Sequence, residues 1–191
     1  MASLHFHYAA MNSGKSTHLL QVAYNYAERG MNTIIVKPAI DTRDGNTVSS
    51  RIGLSAPAHM ISYSDDLKAL IEHEHSSKEI QCVLVDEAQF LTIEQVKQLS
   101  DVVDYLDIPV MCYGLMSDSN GFLFPASSEL VLQAEELVEH KTICWCGSKA
   151  TMNMRINENG EKIWGSQVSI GGNDRYISVC RRHWKEGKSS K

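Results

Sequence analysis

Near the N-terminus, between an apolar run and a helical pattern, stands Ala9-Ala10-Met11-Asn12-Ser13-Gly14-Lys15-Ser16-Thr17, whose residue types suit the capture of a polyphosphate. A phosphate needs several donors converging from a short span. A tight loop feeding a helix start offers backbone N–H groups together with the positive end of the helix dipole. Gly14 lets the backbone approach the phosphate, Lys15 brings an ammonium to the β and γ oxygens, and the Ser16 hydroxyl can take one position on Mg²⁺. Thr17 is expected to start the helix. The common pattern G-x-x-x-x-G-K-[ST] has glycine where this chain has Ala9. An alanine in left-handed backbone costs about 1–2 kcal/mol, so the loop is read as needing no left-handed residue there.

A second constellation, Val85-Asp86-Glu87-Ala88-Gln89-Phe90, leaves another apolar run. In a parallel sheet, ligands gather outside the carboxyl ends of the strands, so a carboxylate at that position points toward the phosphate loop. Asp86 suits Mg²⁺, either directly or one partner removed, and Glu87 suits taking a proton from the group that attacks the γ-phosphate. The bland alternative is that both merely cap the next helix. A third set joins Cys144-Trp145-Cys146 to Cys180-Arg181-Arg182-His183. Two pairs of soft ligands on short turns, far apart in sequence, meet the needs of a closed tetrahedral zinc site, with Cys144, Cys146, Cys180 and His183 as ligands. Four protein ligands leave no open position, so the zinc is expected to be structural.

Positioning these groups requires a core, and 191 residues with 43% hydrophobic content can build one, as a single domain or a domain with a small appendage. The net charge of −5 disfavours a surface that binds nucleic acid through many phosphate contacts. No apolar stretch is long enough to span a bilayer, and His5 and His7 interrupt the first apolar run, unlike a secretory signal; the expected location is cytoplasmic. Cys82 and Cys112 lie in apolar strand-like runs and read as core residues.

Leu4, Phe6 and Tyr8 alternate as in a strand, and Leu19, Val22, Ala23 and Tyr26 recur as in a helix stopped by Arg29-Gly30. A short strand over 32–37 is followed by a polar stretch from Asp41 to Ser55, a long loop or a hairpin. Asp65 or Asp66 caps a helix carrying Leu67, Leu70 and Ile71. Strand 82–85, a helix from Thr92, strand 109–113 and a helix from Glu129 to Leu137 complete the alternation, which implies a mostly parallel sheet with helices on both faces. From Lys141 onward, cysteines, the turn Asn157-Glu158-Asn159-Gly160 and β-type runs take over. The expected division is an α/β nucleotide-binding unit over 1–140 and a small zinc-bearing unit over 141–191.

In their joint order these pieces resemble the type II thymidine kinases, most of all the zinc-containing enterobacterial and phage form. Added to the motifs above are Tyr24-Asn25-Tyr26-Ala27-Glu28-Arg29-Gly30-Met31, Ser50-Arg51-Ile52-Gly53-Leu54-Ser55, Tyr113-Gly114-Leu115 and Ile170-Gly171-Gly172-Asn173-Asp174-Arg175-Tyr176. The resemblance implies a RecA-like P-loop core with a zinc-bearing lasso domain, a homotetramer, transfer of the γ-phosphoryl of ATP to the 5′-hydroxyl of thymidine in nucleotide salvage, and inhibition by thymidine triphosphate. It places Ala9, Ala10, Met11, Asn12, Ser13, Gly14, Lys15, Ser16, Asp41, Arg43, Asp86, Glu87, Ala88 and Gln89 about the ATP, with Ser16 and Asp86 on Mg²⁺ and Glu87 as catalytic base. The nucleoside falls to Met11, Phe90, Leu115, Phe124, Gln167, Val168, Ser169, Ile170, Gly171 and Tyr176. Where the family has a base-packing aromatic residue, this chain has Ser119, leaving Phe122 or Phe124 to replace it or the affinity to fall. A RecA-like ATPase motor, or a zinc module binding nucleic acid or a partner through Arg181, Arg182 and Lys185, are the rival readings; neither uses the segment 170–176.

Overall fold

The computed structural model of the chain describes residues 1–41, 45–165 and 175–190. Apolar runs alternate with amphipathic segments and fold, in chain order, as β1 (Leu4–Ala9), α1 (Lys15–Glu28), β2 (Thr33–Pro38), β3 (Thr47–Ser49), β4 (Ser55–Pro57), β5 (His59–Ile61), α2 (Leu67–Ser77), β6 (Cys82–Val85), a 3₁₀ turn (Ala88–Phe90), α3 (Ile93–Leu106), β7 (Val110–Leu115), α4 (Pro125–Gln133) and β8 (Glu136–Glu139). Six of these strands form one sheet in the order β5-β2-β6-β7-β1-β8, and every pairing in it is parallel.

Both faces of the sheet are covered, which is why its central strands read as unbroken apolar runs. Val83 and Val85 of β6 pack with Leu67 and Ile71 of α2, Val96 and Leu99 of α3 and Leu130 of α4. Their neighbours Cys82 and Leu84 turn the other way, onto Leu19 and Leu20 of α1 and Val48 of β3. The period of two along the strand thus divides the helices between the faces. Cys82 and Cys112 are wholly buried, as expected, and burial pushes the Cys82 thiol up to about 12.

Local signals set the element ends. Asp66, not Asp65, caps α2 by accepting from Ala69 N at 2.9 Å, while Asp65 closes the preceding turn on Ser62 N at 2.7 Å. Thr92 and Gln95 form a reciprocal capping box on α3. The polar stretch after Asp41 does contain a hairpin, β3 paired antiparallel with β4. Two helices are bounded differently from expectation. Helix α1 begins at Lys15 and not Thr17, because Gly14 at φ 82° turns the chain directly into it. The helix expected over 129–137 runs instead over Pro125–Gln133. Pro125 starts it early, Ala134 leaves it in extended backbone, and Glu136–Glu139 becomes an edge strand on β1.

Beyond the sheet lie β9 (Thr142–Ile143), β10 (Lys149–Ala150), β11 (Met152–Ile156), β12 (Arg175–Val179) and α5 (Arg181–Glu186). Among the described residues, β9 pairs with β10 and β11 with β12, both antiparallel, and Ile156 of β11 also bridges to Lys162. They enclose a separate apolar cluster of Cys144, Ala150, Met154, Ile156 and Val179. No described helix is long and apolar enough to cross a membrane.

Candidate active site and metal centre

Because the six strands run parallel, the segments leaving β1, β6 and β7 emerge at one end of the sheet, and the candidate residues cluster there. Ala9 ends β1 in register with Leu115 of β7, in ordinary strand backbone, so the absent glycine costs nothing at that position. The left-handed positions of the loop are Asn12 (φ 62°) and Gly14 (φ 82°). Asparagine tolerates that conformation better than most side chains. Lys15 folds back over the loop, its Nζ donating to Ala10 O at 3.2 Å and Ser13 Oγ at 3.4 Å. That curl keeps the ammonium against the loop's own backbone.

Ser16, one residue on, donates to Asp86 Oδ2 at 3.1 Å, with Oδ1 at 3.4 Å. The loop after β1 and the carboxylate after β6 therefore meet, as the two motifs require. Burial pushes the Asp86 carboxyl well up, and the neighbouring Glu87 charge adds to it; Ser16 and Lys15 pull the other way. A carboxylate so placed gains from a cation.

Glu87 is half-buried and sits at φ 49°, left-handed without being glycine. Such backbone costs on the order of 1–3 kcal/mol and persists only where the surroundings hold it. Gln89 supplies the hold: its Nε2 donates to Glu87 Oε2 at 2.6 Å, and its Oε1 accepts from Leu115 N at 3.0 Å. Gly114 makes that approach feasible, since a Cβ there would lie 2.9 Å from Gln89 Oε1 and 3.1 Å from Gln89 N. Phe90 and Phe124 meet edge to face at 5.8 Å. Phe124 is buried whereas Phe122 is 70% exposed, so Phe124 is the aromatic side chain that the fold draws inward. Ser119 is itself buried, its carbonyl accepting from Trp184 Nε1 at 3.1 Å.

Other expected residues are placed as follows. Asp41 is buried and paired with buried Lys37 at 3.2 Å, and Lys37 also donates to Thr47 O at 3.2 Å. Tyr176 lies on β12, opposite Arg155. Arg43, Gln167, Val168, Ser169, Ile170 and Gly171 lie outside the described residues. Two residues that the sequence reading missed complete the site. Asn153 of β11 accepts from Met11 N at 2.8 Å and donates to Ser117 O at 3.1 Å, and Ser178 of β12 donates to Met11 O. Together they tie the loop after β1 and the loop after β7 to the C-terminal unit. Neither belongs to a local motif, and only a pairing across some 140 residues of chain reveals them.

Cys144, Cys146, Cys180 and His183 converge as expected, their ligand atoms all within 4.8 Å of one another. His183 Nδ1 is 3.4 Å from the sulfurs of both Cys144 and Cys180. Trp145 stacks on the His183 ring at 4.1 Å and fixes its plane. Hydrogen bonds from Ser148 hold the Cys146 thiol down to about 7, which favours the thiolate a metal takes. Three sulfurs and one imidazole, at the head of a unit with a core of only a few side chains, suit a closed tetrahedral ion. The molecule is thus an α/β protein with a large parallel sheet and a C-terminal Cys3His metal-binding cluster.

Comparison with known proteins identifies the family. The thymidine kinase family model matches residues 2–184. The thymidine kinase of Legionella pneumophila (strain Paris) is 55% identical over 194 residues, covering 100% of this chain and 93% of that protein. Those of Shigella dysenteriae serotype 1 and Escherichia coli (strain K12) are 56% and 55% identical over 188 residues, each covering 97% of this chain and 92% of the relative. The chain belongs to the thymidine kinase family.

Proposed function

We propose that this protein transfers the γ-phosphoryl group of ATP to the 5′-hydroxyl of thymidine, giving thymidine monophosphate and ADP. The observation that carries the reading is the meeting of Ser16 with Asp86 at 3.1 Å, beside a lysine-bearing loop and one residue from Glu87, in a chain of this family. The core is a RecA-like P-loop unit over 1–140, and residues 141–191 are a zinc-bearing lasso. Backbone amides of Ala9 to Ser16 and the Lys15 ammonium gather the phosphates; Asp41 and Arg43 belong to the loop that reaches them in this family, with Arg43 bringing the second cation and Asp41 held on Lys37. Ser16 and Asp86 are the hard oxygen ligands that would hold Mg²⁺, which when bound offsets phosphate charge.

The 5′-oxygen forms a bond to the γ-phosphorus as the bond from that phosphorus to the bridging oxygen of ADP breaks, and the hydroxyl proton passes to Glu87. Lys15 and Arg43 stabilise charge on the transferring oxygens. Gln89 aims Glu87 and is itself seated against Gly114. Met11, Phe90, Leu115, Phe124 and Tyr176 hold the nucleoside. Backbone groups from Gln167 to Gly171 read the base: thymine presents an N3–H donor beside O4, cytosine reverses both, and a fixed backbone would leave polar groups unpaired against cytosine.

Zinc held by Cys144, Cys146, Cys180 and His183 supplies fold and not chemistry; in small domains such binding is worth roughly 10–16 kcal/mol. Free thiols throughout agree with a cytoplasmic setting. A homotetramer inhibited by thymidine triphosphate fits the family, and exposed Tyr24, Ile52 and Leu54 supply apolar surface for self-association. The test is direct: incubate the protein with Mg²⁺-ATP and a panel of nucleosides and separate the products. Thymidine is expected to be converted to its monophosphate in preference to deoxycytidine and purine nucleosides. Absence of thymidine monophosphate, or ATP hydrolysis indifferent to nucleoside, would overturn the reading.

A further inference from the structure

Behind the phosphate loop lies a group of side chains that phosphoryl transfer does not use. His7 comes from β1, His18 from the second turn of α1, and His140 from the residue that follows β8. Their ring centroids are 5.2 Å apart for His7 and His18, 5.2 Å for His7 and His140, and 5.0 Å for His18 and His140. One ring nitrogen from each lies within 4.8 Å of the other two. His7 is only 5% exposed, and its Nε2 is buried with no hydrogen-bond partner among the described residues.

The surrounding contacts prepare the rings for an ion. His7 Nδ1 and His140 Nε2 stand 2.9 Å apart. Metal–nitrogen bonds of about 2.0–2.1 Å place neighbouring ligand nitrogens roughly 2.9–3.4 Å apart, so an ion can replace the proton these two share with little movement of either ring. His18 Nδ1 is 2.9 Å from the Tyr113 hydroxyl, which is itself directed at Met111 Sδ at 3.7 Å. With the phenol proton given to sulfur, the hydroxyl accepts from His18 Nδ1–H and leaves Nε2 with its lone pair. A hydrogen bond on one imidazole nitrogen is the usual device for turning the other onto a metal. His140 is anchored by its backbone N–H to Tyr8 O at 2.9 Å, and His7 stacks on Tyr113 at 4.5 Å.

We infer that His7, His18 and His140 form a second metal site, taking one divalent late first-row transition ion such as Zn²⁺ or Co²⁺ through three imidazole nitrogens. The group contains neither carboxylate nor thiolate, so it offers nothing to Mg²⁺ or Ca²⁺ and suits borderline ions. Lys15 is the nearby cation and opposes binding, which sets the affinity below that of the all-protein Cys3His set. An ion there ties β1, α1 and β8 together immediately beneath the phosphate loop.

The experiment uses untagged protein carrying zinc in its Cys3His set, dialysed against micromolar Co²⁺ and analysed for both metals. One added cobalt per chain is expected, with visible d–d absorption and no sulfur-to-cobalt charge-transfer band. His18→Ala and His140→Ala should each abolish that uptake while retaining the zinc, which also reports that they fold. His18 is exposed, so its replacement leaves the core intact. No cobalt bound by the parent protein, cobalt found only with sulfur charge transfer, or equal uptake by the parent and both variants would overturn the inference.

Discussion

Glu87 pairs a left-handed backbone with a side chain held by Gln89, so its carboxylate is aimed by the fold and not free to rotate away. Replacing it with glutamine keeps the shape and the hydrogen bond but removes the proposed base. Glu87→Gln is expected to bind ATP as the parent does and to lose about 10²–10⁴-fold in kcat, measured by steady-state kinetics beside nucleotide titration. Gly114 tests the support from behind. A methyl at that position must displace Gln89 at 2.9–3.1 Å, and its backbone neighbours cannot yield. Gly114→Ala should therefore depress kcat although position 114 bears no reacting group, and a normal kcat would mean that Gln89 does not position Glu87. His7 supplies a pH signature. Burial, reinforced by His140 and His18, lowers its pKa from 6.5 to about 3. The folded state thus holds the ring neutral where the unfolded chain would protonate it. That contribution to stability is intact above pH 6.5 and is lost as pH falls from 6.5 toward 3, at about 1.4 kcal/mol per pH unit. Urea midpoints at neutral and mildly acidic pH in metal-free buffer should fall more steeply for the parent than for His7→Phe.

At the scale of elements, the parallel order of β6, β7 and β1 delivers three chemically distinct segments to one end of the sheet. The C-terminal hairpin β11–β12 then clamps the first of them. Asn153 satisfies Met11 N on one side and Ser117 O on the other while fully enclosed, so its loss frees two loops at once. A buried hydrogen bond broken on one side costs about 1–3 kcal/mol. Asn153→Ala is expected to raise KM for ATP, by about 10-fold for 1.4 kcal/mol, with a smaller effect on kcat. An unchanged KM would show that the loop holds its shape alone. The difference between the expected and observed fourth helix belongs to this scale as well. Apolar spacing over 129–137 continues past Gln133, but hydrogen bonding to the open edge of β1 draws Glu136–Glu139 into a strand. Tertiary pairing overrides local periodicity there.

For the whole molecule, we propose that the Cys3His cluster, by holding the C-terminal unit together, supports the loop after β1 through the contacts of Asn153 and Ser178. The C-terminal unit has a small core, and its strands join no part of the main sheet. Weakening the Cys3His set with Cys146→Ser, which changes an exposed ligand and disturbs no packing, should lower zinc content. It should also raise protease sensitivity beyond residue 141 and KM for ATP, while leaving the α/β core folded by circular dichroism. If KM stays normal as zinc is lost, the proposed coupling between the two units is wrong.

Much of this arrangement was legible in the chain itself. The loop after β1, the carboxylate pair, each half of the Cys3His set, the four inner sheet strands, the end of α1 and the starts of α2 and α3 each rest on residues within a few positions of one another, where backbone geometry and capping act locally. The expected roles of Ser16 with Asp86 needed only the rule that parallel strands present their carboxyl ends together. What tertiary structure alone decided are the contacts across long separations: Asn153 and Ser178 on Met11, Gly114 against Gln89, the strand at Glu136, and the meeting of His7, His18 and His140. No local pattern encodes them, because each depends on the register of strands that are distant in sequence, and a shift of one residue would turn those side chains to the opposite face.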